Sequence, residues 1–105
     1  MQRHHAEMTN MSFIHATDRE IMAELGRRLG RLRESNGLTR VEAAARTGLA
    51  RRTVHRAEAG ENPTLATLLR LLRLYGRLEG LESFIPDSEI SPMALLKKSS
   101  GPRRA

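Results

Sequence analysis

Arg51, Arg52, His55 and Arg56 form the densest group of chemically capable side chains in this 105-residue sequence. At roughly 100° per helical residue they fall within an arc of about 140°, with Thr53, Val54 and Ala57 on the opposite side. One face is then basic and polar, the other small and apolar. A guanidinium holds its donors in a fixed fork that matches the paired O6 and N7 acceptors of guanine in a major groove. The chemistry these residues offer is recognition, not bond-making. Other chemistries lack their parts. Cysteine is absent, which removes thiol catalysis, disulfides and the usual structural zinc sites. The histidines are His4, His5, His15 and His55, and the first two read as part of a terminal arm, not as a metal site. The sequence holds no carboxylate pair, Ser/His constellation or glycine-rich phosphate loop, so no enzyme, cofactor or metal is expected.

Charge is concentrated where those residues lie. Residues 25–56 carry nine arginines against Glu34 and Glu42, a net +7, whereas the whole chain carries +6. The flanking blocks are −2 over 1–24, −3 over 57–96 and +4 over 97–105. A localised basic block is the electrostatic footprint of a polyanion binder. The same count also fits a solvated helical face rich in arginine.

The elements that must position this block read as helices throughout, with no period-two alternation to suggest a sheet. Ile21, Leu25, Leu29 and Leu32 make one stripe on a helix over 18–35, with Thr17 or Asp18 as N-cap and Asn36-Gly37 as the stop. Thr39 with Glu42 three residues on makes a capping box for a second helix that Gly48 ends. The third helix covers about 50–59 and stops at Gly60. Thr64 caps a leucine-rich fourth that Gly76 closes, and a fifth covers about 77–85 before Pro86. The pair over 37–60 is a helix-turn-helix arrangement, whose second helix enters the major groove. Gly26 and Gly30 each cost a helix about 1 kcal/mol relative to alanine. Close approach of another backbone or of DNA offsets that, or the helix simply tolerates them.

A chain of 11.8 kDa holds one small core. Hydrophobic residues make up 39%, but the only aromatics are Phe13, Tyr75 and Phe84, so aliphatics must build it. The expected organisation is all-α: a flexible arm over 1–16, a five-helix domain over 17–86, and a tail over 87–105. Ser91-Pro92 can start a short helix in that tail. Met8 and Met11 are alternative translation starts. No apolar run reaches the roughly 20 residues of a membrane span, and the N-terminus has no secretory h-region. The protein is therefore expected in the cytoplasm, without membrane contact and associated with the nucleoid through DNA.

The span from Glu20 to Arg77 resembles the Cro/repressor-type helix-turn-helix domain of the XRE family, a compact λ-repressor-like fold. The resemblance rests on Leu-Arg at 32–33, Gly-Leu-Thr at 37–39, Gly-Leu at 48–49, Thr-Val at 53–54, Glu-Ala-Gly at 58–60 and Pro-Thr-Leu-Ala-Thr-Leu at 63–68. It implies base reading by Arg51, Arg52 and Arg56 with His55 beside them. It further implies phosphate contacts from Thr39, Arg40 and Thr53, and an ion pair between Arg33 and Glu58. Two positions depart from the family pattern. Ala50 stands where a capping Ser or Thr is usual, and Arg40 where Gln is common. Arg40 is read as a stronger phosphate grip with less base readout.

The C-terminal part resembles HipB-type members, in which a DNA-binding autorepressor is also the antitoxin of a HipA-like kinase toxin. Leu78, Leu81, Phe84 and Ile85 leave an apolar fifth helix for a second copy to cover. Two readings therefore stand. One is a homodimeric repressor on double-stranded DNA with a pseudo-palindromic operator. The other is a toxin-neutralising module that binds DNA only for autoregulation.

Overall fold

Five α-helices follow one another along the chain: α1 (Asp18–Ser35), α2 (Arg40–Thr47), α3 (Arg51–Glu58), α4 (Leu65–Leu74) and α5 (Gly80–Phe84). A computed structural model describes residues 12–88, and these contain no strand. The fold is all-α. A short 3-10 turn, Phe13–His15, precedes α1 and lies within the segment expected to be an arm. Its Phe13 ring sits under the Arg28 guanidinium at 5.3 Å. That cation–π contact ties the entry segment to α1. His4–His5 and the rest of the arm, the short helix expected after Ser91 and the basic tail lie outside the described residues.

Local chemistry sets the helix ends. The Thr17 hydroxyl accepts from the Glu20 N–H at 3.1 Å, and the Glu20 carboxylate accepts from the Thr17 N–H at 3.0 Å. Thr39 and Glu42 repeat the capping box at the head of α2, at 3.1 and 2.8 Å. The backbone and then the side chain of Thr39 hold the Glu42 carboxyl below its ordinary pKa. Thr64 caps α4 alone, through the Thr67 N–H. Ala50 offers α3 no side-chain cap.

The fifth helix is shorter than expected, and the reason is the end of α4. The Arg77 N–H donates to the Leu72 carbonyl at 2.8 Å while Gly76 takes φ +72. This is a Schellman closure, so Arg77 belongs to the cap of α4 and cannot begin α5. The new helix starts only at Gly80.

The core joins Leu29 of α1, Ala43 and Ala44 of α2, Val54 and Ala57 of α3, Leu71 of α4 and the following Tyr75. Alanines on α2 and α3 let the pair pack closely. α1 departs from its leucine stripe. Leu25 is exposed, whereas Gly26, Leu29 and Arg33 point inward. The cause is the crossing of α1 over the end of α3. At Gly60, with φ +75, a Cβ would stand 2.8 Å from the Met22 carbonyl oxygen. The two backbones meet there, and the inward line of α1 follows its glycine instead of Leu25.

Candidate nucleic-acid interface

α3 is anchored by Val54 and Ala57, which are 0% and 1% exposed. Arg51, Arg52, His55 and Arg56 are all exposed, and Thr53 is half-buried beside them. Among the described residues no ion pair involves Arg51, Arg52 or His55. Arg56 differs. Its Nε donates to Glu61 at 3.1 Å, and both side chains remain more than half exposed. The end of α3 explains the pairing. The Glu61 N–H donates to the Arg56 carbonyl at 3.0 Å, so the chain folds back over the arginine. A Gly60 stop followed at once by an acid is the sequence signal for this contact.

The base of the interface is a carboxylate shared by two arginines. Arg33 Nε and Nη2 donate to Glu58 at 2.7 and 3.1 Å, and Arg33 Nη1 donates to the Leu38 carbonyl at 2.9 Å. The Arg33 and Glu58 side chains are only 9% and 7% exposed. Arg40 Nε reaches the same carboxylate at 3.0 Å, with half of its side chain in solvent. Burial pulls the Glu58 carboxyl upward, but hydrogen bonds from Arg33 and Arg40 outweigh it and hold its pKa below the ordinary value. The hydrogen bond to Glu58 in turn raises the pKa of Arg33. α1, the start of α2 and the end of α3 are thus tied at one point.

The family model of the helix-turn-helix domain matches residues 24–82, more than half of the chain. The chain belongs to the helix-turn-helix domain family. In this helix-turn-helix protein α2 and α3 are the paired helices, and α3 is the one such DNA-binding modules lay in the major groove. No curated protein is matched by the chain.

The helix-turn-helix domain brings Thr39 and Arg40 to one end of α2, where the Thr39 hydroxyl accepts from the Glu42 N–H and keeps its own O–H to donate. Arg40, a phosphate contact by the family resemblance, is also bonded within the protein, to Glu58. Thr53 lines a groove with Arg56, Glu61, Asn62 and Thr64, between α3 and the head of α4.

A second carboxylate was not legible in advance. Glu24 of α1 is fully covered, and accepts from Arg27 Nη2 at 2.8 Å and Arg28 Nε at 2.9 Å. Desolvation raises its pKa, yet the hydrogen bonds from Arg28 and Arg27 leave it lowered.

The apolar residues in and beside α5 divide. Leu78 and Leu81 are half-buried against their own chain, whereas Phe84 and Ile85 are 68% and 73% exposed. Leu81 is thus partly covered within its own chain, and Phe84, three residues on, is largely open. No helix of the described residues is long and apolar enough to cross a membrane.

Proposed function

We propose that this protein is a sequence-specific transcriptional regulator, a repressor of the XRE type, that binds a pseudo-palindromic operator as a homodimer. The observation that carries this reading is the α3 surface. Four polar or basic side chains project from a helix whose opposite face is sealed into the core, and Arg51 and Arg52 have no ion-pair partner among the described residues. Arg51 and Arg52 are the base readers. Arg56 joins them with its Nε held by Glu61, and His55 lies between. Arg40 and the backbone at the start of α2 grip phosphate, which positions the domain without reading sequence. Dimerisation through Phe84 and Ile85 sets two recognition helices about 34 Å apart, one turn of duplex.

Selection of bound duplexes from a random pool tests this reading. It expects an inverted repeat with half-sites about 10 bp apart. Recovery of no enriched sequence overturns it. The same exposed Phe84 and Ile85 support the second reading, in which a HipA-like kinase toxin covers that pair. There the free protein is a monomer at micromolar concentration and becomes dimeric or larger only with the toxin.

A further inference from the structure

Between α1 and the start of α2 lies a cleft lined by Arg27, Arg31, Arg33 and Arg40, with Glu34 and Glu58, over Gly26 and Gly30. Cations outnumber acids around it. Two of its arginines, Arg27 and Arg40, are each held on one side by a carboxylate that the protein covers. Arg27 places Nε and Nη2 on Glu24 Oε1 at 3.2 and 2.8 Å, which leaves Nη1 without a partner among the described residues. Arg40 places only Nε on Glu58, which leaves both terminal nitrogens without one. A guanidinium fixed along one edge loses little side-chain freedom when its other edge meets an anion. The glycines keep the floor of the cleft clear of side chains.

We propose that this cleft seats one phosphate of the DNA backbone, gripped by Arg40 from α2 and by Arg27 from α1. The inference rests on the DNA-binding reading and adds Arg27 as a contact and Glu24 as the residue that positions it. A phosphate here neutralises cations that the pair of carboxylates has oriented but not used up. Arg27 carries no sequence information in this role, because phosphates are alike along the duplex.

The test is a salt series on the full-length protein with the selected operator and a scrambled duplex, comparing wild type, Arg27→Gln, Arg27→Lys and Arg52→Ala. Circular dichroism at each salt checks that all are folded. The expected result for Arg27→Gln is equal loss on both duplexes and a salt slope smaller by about one unit. Arg27→Lys keeps the slope, because the charge is retained. Inorganic phosphate separates the two sources of this anion: millimolar phosphate that raises the wild-type melting temperature and not that of Arg27→Gln marks a free-phosphate site and overturns the DNA assignment. A folded Arg27→Gln with the wild-type slope also overturns it, and leaves the DNA-binding reading intact if Arg52→Ala still loses operator preference. Loss of all operator preference in the wild type overturns both.

Discussion

Gly26 of α1 faces the backbone carbonyl of Glu58 at the end of α3 so closely that a Cβ would stand 2.5 Å from its oxygen. Only hydrogen fits. The approach of these two backbones is what allows Arg33, seven residues further along α1, to reach the Glu58 side chain. Gly26→Ala should therefore destabilise the domain by about 1–3 kcal/mol, despite alanine's better helix propensity. Gly30→Ala is the control. Its Cβ would meet a carboxylate oxygen of Glu58 at 3.3 Å, and that carboxylate, although held by Arg33 and Arg40, needs to give only slightly, so the cost should be smaller than at Gly26. Urea unfolding of both variants checks the contrast.

Glu58→Ala should cost about 3–5 kcal/mol, because it strands Arg33 in a nearly dry site. Glu61→Ala removes an exposed partner from Arg56 and should change stability by no more than about 1 kcal/mol. Thermal melts of the two variants should differ widely. Equal melting temperatures would show that the Arg33–Glu58 pair contributes nothing beyond a surface contact.

The lowered pKa values of Glu58 and Glu24 set the direction of acid sensitivity. A carboxylate whose folded pKa is depressed binds fewer protons in the native state than in the unfolded one over the interval between the two values. Its stabilisation is fully present above the unfolded value of about 4.3, and is lost as pH falls through the folded value. Unfolding free energy should hence drop as pH is lowered below about 4.3. Glu58→Gln should flatten that limb while lowering stability at neutral pH. A variant with the wild-type acid slope would assign the sensitivity to other groups.

Phe84→Asp should yield monomers and weaken operator binding without lowering the melting temperature of the monomer, since Phe84 is largely exposed within its own chain. Leu81→Asp should destabilise as well, because Leu81 is half-buried. Light scattering at micromolar concentration, read beside the melts, separates the two effects. A wild-type monomer would count against the dimer.

Much of the fold was legible because it is local. Thr39 with Glu42, and Thr64, are capping residues whose partners lie three positions away, and each forms its bond; of the two caps open to α1, Thr17 or Asp18, it is Thr17 that takes the place. The division of α3 into an outer arc and a sealed face follows from residue type and period alone. What the residue types and period do not reveal depends partly on how helices cross and partly on which side chains and backbone groups pair along one helix and its cap. Leu25 belongs to the α1 stripe by period but is left outside, because α1 turns its glycine toward α3. Glu24 is polar and would ordinarily face water, yet it is fully covered and bonded by Arg27 and Arg28 of its own helix. The phosphate role of Arg40 is what the family resemblance implies. The bond of Arg40 to Glu58, eighteen residues on, follows only once α3 is packed beside it. Arg77 looked like the start of α5, and its role in closing α4 emerges from the bond to Leu72.

Binding of Arg52→Ala and Arg40→Ala to operator and scrambled duplexes across a salt series tests most directly whether α3 is the reader. Arg52→Ala is expected to lose about 1–3 kcal/mol on the operator, to relax preference at one base pair, and to bind scrambled duplex nearly as wild type does. Arg40→Ala is expected to weaken both duplexes alike and to reduce the salt slope by about one unit. Equal loss of affinity by Arg52→Ala on the two duplexes, with base preference unchanged, would contradict the assignment of sequence reading to α3.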